Sequence, residues 1–173
     1  MGTVLLSVVL ALPAIFGSGG GAPPAAREGT PCTFEFVIVL DPGLSMEPTT
    51  GQHYSDGLGT IDCDGPVNGH LATGTGTLGE DGPYGTADPD TCQAGGEGTG
   101  IDHLTIPTAA GPQKIASEFA VTFGKLSNEG GLFHGEFTGT RFTGTFEFSA
   151  LEGDCVTSPV TKARVVGRGV IHD

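Results

Sequence analysis

The chain has 173 residues, of which 31 are glycine and 12 are proline, and its formal net charge is −13 at pH 7. Its seven Lys and Arg residues are scattered, which argues against nucleic acid and anionic lipid as partners, because both require a basic patch. Leu, Ile, Val and Phe contribute 42 residues, which is enough for a folded domain with a small hydrophobic core.

The N-terminal segment has the pattern of a secretory signal peptide. Residues 4–16 form an apolar run that is followed by small residues and is too short to span a bilayer. No Lys or Arg precedes the run, so either the signal is atypical or the true start lies upstream. We predict that residues 1–26 are removed, with cleavage near Ala22 or Gly19 as alternatives, and that residues 27–173 form one domain. The mature protein is then secreted or associated with the cell envelope, without a stable membrane span.

Four cysteines follow the predicted cleavage site, and an even number in an exported chain predicts two disulfides. Sequence alone allows three pairings of Cys32, Cys63, Cys92 and Cys155. Cys32 begins one predicted strand and Cys63 ends the next, which favours Cys32 with Cys63 and Cys92 with Cys155. A zinc site is the alternative, but the chain has no Cys-x-x-Cys pair, so we expect no metal. We also expect no cofactor.

After Cys32, glycine and proline recur too often for helices of normal length, and apolar residues alternate with polar ones, which predicts an all-β fold. The first strand is TFEFVIVL (33–40), with Phe34 and Phe36 on its buried face, and it stops at Asp41-Pro42-Gly43. Further strands are predicted within 52–63, 70–79, 96–107, 114–124 and 162–172, separated by turns such as Asp64-Gly65, Asn68-Gly69 and Asp81-Gly82 and by the loop 84–96. Frequent glycine within strands favours an antiparallel barrel of about eight strands over a two-layer β-sandwich, because closure requires coiled strands.

Residues 131–148, GLFHGEFTGTRFTGTFEF, predict a hairpin with a type II′ turn at Gly139-Thr140. Its apolar face would pair Phe137 with Phe142, Gly135 with Gly144, and Phe133 with Phe146. The paired glycines have two explanations. They let the sheet coil or admit a large side chain such as Phe119 or Phe123, or they form an apolar ligand pocket whose residues are Phe133, Gly135, Phe137, Phe142, Gly144 and Phe146.

No catalytic residue is assigned, because the chain has no Gly-x-Ser-x-Gly, no His-Glu-x-x-His and no phosphate-binding loop before a helix. The five histidines are far apart and are interpreted as solvated strand residues: His53, His70, His103, His134 and His172. One polar set shares the outer face of the predicted hairpin: His134, Glu136, Arg141 and Glu147. An open sheet face lacks the shielding that acid–base catalysis requires, so we interpret the set as cross-strand charge pairs.

Two acidic segments carry oxygen donors that suit Ca²⁺: Asp62, Asp64 and Asn68 in the first, and Glu80, Asp81, Asp88 and Asp90 in the second. Neither has the spacing of an EF-hand loop. Since Asp and Asn are also the commonest turn formers, both segments are interpreted as turns.

The exported N-terminus, the segments GTIDCDG, GTGTLG and GEGTG, and the aromatic hairpin resemble those of small exported Gly/Thr-rich β proteins of actinobacteria. The resemblance is compositional and transfers no site residue. Streptavidin-like and lipocalin barrels share Gly/Thr strands, but they rely on tryptophans and this chain has none.

Three functions are therefore considered. The first is an exported, non-catalytic β domain that binds an extracellular or cell-surface partner or has a structural role. The second is a small barrel that carries an apolar ligand in the Phe/Gly pocket. The third is a barrel enzyme similar to allene oxide cyclases, which shape a substrate in an apolar barrel; a cavity holding a buried polar group would favour it. The missing motifs favour a protein that is not an enzyme.

Overall fold

The computed structural model of the protein describes residues 29–124 and 132–173. The predicted signal peptide, residues 1–26, lies outside these ranges. Within them, no helix is long and apolar enough to cross a membrane.

The described residues form eleven β-strands. Their bounds are β1 Thr30–Leu44, β2 Gly51–Ser55, β3 Gly59–Cys63, β4 Pro66–Val67, β5 His70–Leu71, β6 Gly76–Tyr84, β7 Gly96–Ile106, β8 Gln113–Phe123, β9 Leu132–Gly139, β10 Phe142–Glu152 and β11 Val160–Ile171.

The strands form an antiparallel meander that closes into a barrel. Consecutive strands pair from β6 to β11, and β11 pairs with β1 to close the sheet. β2 and β3 occupy one position between β1 and β6, since each of them pairs with both neighbours. Counted in this way the barrel has eight strands. The predicted antiparallel barrel is therefore confirmed, and the strands do not form the alternative two-layer sandwich. β4 and β5 form a separate hairpin whose turn is the predicted Asn68-Gly69 pair.

Two segments that were predicted to end or separate strands lie inside strands instead. β1 continues through Asp41-Pro42-Gly43 to Leu44, because a register shift after Val39 absorbs the irregular residues. Asp81-Gly82, predicted as a turn, lies within β6 and pairs with β2. Gly82 is needed there because a Cβ atom would overlap the backbone carbonyl of Thr99 on β7.

Each end of the barrel carries one disulfide. The lower end carries Thr30 and the β9–β10 turn, and the upper end carries Leu44 and the β6–β7 connection. Cys32–Cys63 joins β1 to β3 near the lower end, where the two residues are directly opposed. Cys92–Cys155 joins the β6–β7 and β10–β11 connections at the upper end. These are the two pairings that the sequence favoured.

The predicted aromatic hairpin is present as β9 and β10, but its register differs by two residues. Gly144 faces Phe137, and Phe146 faces Gly135. Gly139 does not have the positive φ of a type II′ turn; instead, the hydroxyl of the buried Ser117 accepts hydrogen bonds from the backbone N–H groups of residues 141 and 142 at 3.1 and 3.0 Å. A shift of two preserves the faces of both strands, so the phenylalanines still point into the barrel.

Candidate functional site

The barrel interior is packed at its lower end and hollow above. Near the lower end, the inward side chains of Ile61, Ile106 and Ile171 are at most 1% exposed. Further up, Ile38 and Val121 also point inward but remain partly exposed. The reason is a cavity of about 80 Å³, which is several times the volume that one water molecule needs.

The cavity lining is mainly aromatic and aliphatic. Eight of its side chains are phenylalanines, contributed by β1, β8, β9 and β10. Their rings contact one another edge-on and face-on, as in Phe34 with Phe142, whose ring centroids lie 5.6 Å apart, and Phe146 with Phe148 at 6.2 Å. A cavity of this composition favours apolar ligands.

The structure separates the six residues of the predicted pocket into two groups. Phe137, Phe142 and Phe146 line the cavity. Phe133 is buried against Phe148 and is not part of the lining.

Gly135 and Gly144 do not line the cavity either. The ring of Phe146 lies over Gly135, and the ring of Phe137 lies over Gly144, so closely that an added Cβ atom would collide with each ring. The glycines therefore admit large side chains, as the first explanation proposed, but the rings come from the facing strand of the same hairpin and not from Phe119 or Phe123.

Five polar side chains interrupt the apolar lining. Glu97 and Tyr84 lie towards the upper end, and the other three, His53 of β2, Glu80 of β6 and Asp102 of β7, lie together. Glu80 and Asp102 are directly opposed on neighbouring antiparallel strands and both point inward. His53 Nε2 lies 3.8 Å from Glu80 Oε1. We call these three residues the polar cluster.

The polar cluster is largely buried, with the Glu80 side chain 13% exposed, and it is incompletely hydrogen-bonded. His53 and Asp102 are each 4% exposed. Neither His53 Nε2 nor Asp102 Oδ2 has a hydrogen-bond partner among the described residues. Buried polar atoms are nearly always paired, so two unpaired atoms in one cavity mark a site where a further molecule can bind.

Burial sets the protonation of the polar cluster. It raises the pKa of Asp102 from 3.8 to about 7. Burial, followed by the nearby carboxylates of Asp102 and Asp81, raises the pKa of Glu80 well above 4.5. Burial also lowers the pKa of His53 to about 4, against a smaller opposing effect of Asp81. Near pH 7, therefore, Asp102 is partly ionised and His53 is neutral, and for Glu80 burial favours the protonated form.

This protonation pattern gives the cavity both hydrogen-bond donors and acceptors. Since His53 is neutral near pH 7, its contact with Glu80 is not an ion pair. A protonated Glu80 donates a hydrogen bond and an ionised Asp102 accepts one. Together they can bind a carbonyl or hydroxyl group of a ligand whose remaining surface packs against the phenylalanines.

Another buried carboxyl lies close to the upper end. Asp90, in the β6–β7 connection, is 1% exposed, and its Oδ1 accepts a hydrogen bond from the backbone N–H of Glu97 at 3.1 Å. Burial is the main reason that its pKa is raised to about 6. Its side chain is not part of the cavity lining.

The other candidate polar residues lie outside the cavity. The interpretation of the five histidines as solvated is wrong for His53, which is buried and lines the cavity; the other four do not line it. On the outer face, His134 and Glu147 make a cross-strand contact at 3.4 Å of the kind predicted, whereas Arg141 contacts Asp173, outside the predicted set. Among residues 29–124 and 132–173, no group of three His, Cys, Asp or Glu side chains is arranged to hold a metal ion.

Sequence reasoning missed the polar cluster, although a signal for it existed. Glu80 lies two residues after Leu78, and Asp102 lies two residues before Leu104, so each acid shares the inward face with a core leucine. A charged residue at the apolar phase of an alternating strand is unusual and indicates a buried role. The interpretation of 80–90 as an acidic turn segment concealed this phase.

Comparison of the chain with protein-family models, with curated proteins and with solved structures finds no match.

Proposed function

We propose that the protein is an exported barrel that binds a small, mainly apolar molecule carrying one hydrogen-bonding group. The observation that carries this proposal is the pair of unpartnered polar atoms, His53 Nε2 and Asp102 Oδ2, inside a cavity lined by phenylalanine. The ligand's apolar part packs against the aromatic rings, and its polar group pairs with Glu80 and Asp102.

The energetic argument has two parts. A buried polar atom without a partner costs about 1–3 kcal/mol, so a ligand that pairs with the polar cluster recovers part of this cost. An apolar ligand also removes the partly exposed side chains, such as Leu40 and Phe146, from water. Ligands that have an apolar body but no hydrogen-bonding group gain the second term alone and bind more weakly.

Export fits the same proposal. Two disulfides are typical of proteins that fold in an oxidising compartment. The barrel would then meet its ligand outside the cell or at the cell envelope, where a closed apolar interior shields a poorly soluble molecule from water.

A neutral apolar dye with an N–H donor, N-phenyl-1-naphthylamine, tests the proposal, because its fluorescence rises in an apolar environment. We expect saturable binding that is weakened at least about tenfold by Val121→Phe, which fills the cavity; tenfold corresponds to about 1.4 kcal/mol. Val166→Phe is the matched control, because Val166 is 42% exposed on the outer face of β11.

Equal binding by the two valine variants would place the dye outside the cavity and contradict the proposal. Absence of any saturable binding, together with a native mass equal to that of the bare chain, would leave an exported structural module as the better hypothesis.

A further inference from the structure

We propose that Glu80 and Asp102 are an acid–base pair that enolises an apolar carbonyl compound held in the cavity. This inference rests on the proposed function, since the carbonyl compound must first bind. It assigns a specific reaction and specific residues to the third function considered above, that of a barrel enzyme.

The sheet places two carboxyl groups close enough to contact the same functional group of a ligand. Directly opposed residues of an antiparallel pair have Cβ atoms about 4.5–5.5 Å apart, so the carboxyls of Glu80 and Asp102 can reach the oxygen and the neighbouring carbon of one carbonyl group. Their backbones are fixed by the barrel, and the N–H of Glu80 is also held by the Ser55 hydroxyl at 2.8 Å. Asp102 Oδ2 remains free to contact a ligand.

Two carboxylates directly opposed in an apolar cavity repel each other, so one of them keeps its proton when the other ionises. Since burial and the neighbouring acid hold the pKa of Glu80 higher than its ordinary value, Glu80 is the proton donor. Asp102, whose pKa is about 7, is the acid that ionises near neutral pH. From the other elements, neutral His53 faces the pair from β2. Ser117 of β8 is directly opposite Asp102 in the sheet, but its hydroxyl binds the backbone N–H groups of residues 141 and 142.

Other ionisable groups lie at the upper end of the cavity or on the outer face of the sheet. Glu97 and Tyr84 lie towards the upper end of the cavity, and Asp81 and His103 lie 3.7 Å from each other on the outer face. Asp81 nevertheless contributes to the raised pKa of Glu80. An acid and a base in a water-poor cavity are the two groups that enolisation requires.

The proposed step balances without an oxidant or a cofactor. The Asp102 carboxylate removes a proton from the carbon next to the carbonyl group, and the C–H electron pair forms the C=C bond of the enol. Glu80 donates its proton to the carbonyl oxygen. In the reverse direction Asp102 returns a proton to carbon, either at the same position or at a conjugated one, and the Glu80 carboxylate takes the enol proton back.

The lining residues also favour this chemistry over group transfer. No Ser, Cys or Lys side chain is among the described residues that line the cavity, so no nucleophile of those types is available there. Proton transfer between carbon and oxygen needs only the groups that are present.

The probe for the test is 2-tetralone, a small apolar ketone, in D₂O. Binding is measured by displacement of N-phenyl-1-naphthylamine, and exchange of the protons next to the carbonyl group is measured on the same samples by NMR. We expect exchange by the wild-type protein that saturates with ketone concentration and rises as Asp102 ionises around pH 7.

Asp102→Asn should lower the exchange rate about 100-fold or more while ketone binding changes little, since general bases contribute about 10²–10⁴. Glu80→Gln is the second variant and should lower exchange by removing the donated proton. Asp88→Asn, in an exposed loop, is the matched control and should exchange as the wild type does.

The outcomes separate the inference from the proposed function. Ketone binding with exchange no faster than in buffer would overturn the inference and leave the binding function intact. Equal exchange rates in Asp102→Asn and Asp88→Asn would also overturn it. Failure of both the ketone and the dye to bind would overturn the proposed function and the inference together.

Discussion

Asp102→Asn should stabilise the protein at alkaline pH and not in acid. The folded state holds the Asp102 proton with a pKa of about 7, whereas the unfolded chain releases it near the ordinary value of 3.8. Below pH 4 both states are protonated and the residue contributes no pH dependence. As the pH rises from 4 to 7 the unfolded state ionises first, so the wild-type protein loses stability through this group.

The pKa difference sets the magnitude. A change from 3.8 to about 7, at about 1.36 kcal/mol per pKa unit, corresponds to at most about 4 kcal/mol. The cause is desolvation of a carboxylate that is 4% exposed, and an asparagine amide of nearly the same shape does not ionise. The stability of Asp102→Asn relative to the wild type should therefore rise by about 2–4 kcal/mol between pH 4.5 and pH 8.

Urea unfolding at several pH values measures this difference. His53 acts in the opposite sense, because its lowered pKa makes the folded state less stable as the pH falls from 6.5 towards 4. That contribution is common to both proteins and cancels to first order in their difference. Asp88→Asn, which makes the same change in an exposed loop, provides the baseline.

A stability difference that stays constant from pH 4.5 to pH 8 would refute the reasoning. It would mean that Asp102 ionises at its ordinary pKa and that the polar cluster is hydrated in the folded protein.

Two further changes test the barrel itself. Replacing Cys92 and Cys155 by alanine should lower the free energy of unfolding by about 2–5 kcal/mol, because the disulfide ties two connections together at the upper end; unchanged urea midpoints before and after reduction of the wild type would contradict this. Gly144→Ala should cost about 1–3 kcal/mol, because the new methyl group would meet the Phe137 ring and the Arg168 carbonyl. Gly79→Ala is its control, since that methyl group would lie 3.4 Å from the flexible Leu58 side chain, and equal stability of the two variants would show that the Phe–Gly contacts are not tight.

The alternation of apolar and polar residues was sufficient to predict most of the architecture. Phe34 and Phe36 are buried as their phase requires, and the faces of β9 and β10 are correct although their register is not. The register depended on the turn, and the decisive contact there is the hydroxyl of Ser117 on β8. Ser117 precedes the two residues that it contacts by 24 and 25 positions, so the sequence of the turn itself holds no signal for this contact.

The functional site was harder to predict because its residues come together only in the folded barrel. Glu80 and Asp102 become neighbours only when β6 pairs with β7, and His53 joins them through the pairing of β2 with β6. Their local sequences also contain turn-forming residues, Asp81-Gly82 among them, which obscured the strand. The aromatic residues that were predicted to form the pocket do contribute three side chains to it, but the polar cluster lies on strands that the hairpin does not contain.

The carboxyl pair is not something that this fold requires. At the next inward-facing position towards the lower end, the same two strands place Leu78 directly opposite Leu104, and both leucines are 1% exposed. Leucines at positions 80 and 102 would continue that ladder with no ionisable group to desolvate, whereas the acids leave an unpaired oxygen in an apolar cavity. A sequence that carries this cost at one level of an otherwise consistent barrel is best explained by a use for the two acids, and the cavity around them indicates that the use is to contact a ligand.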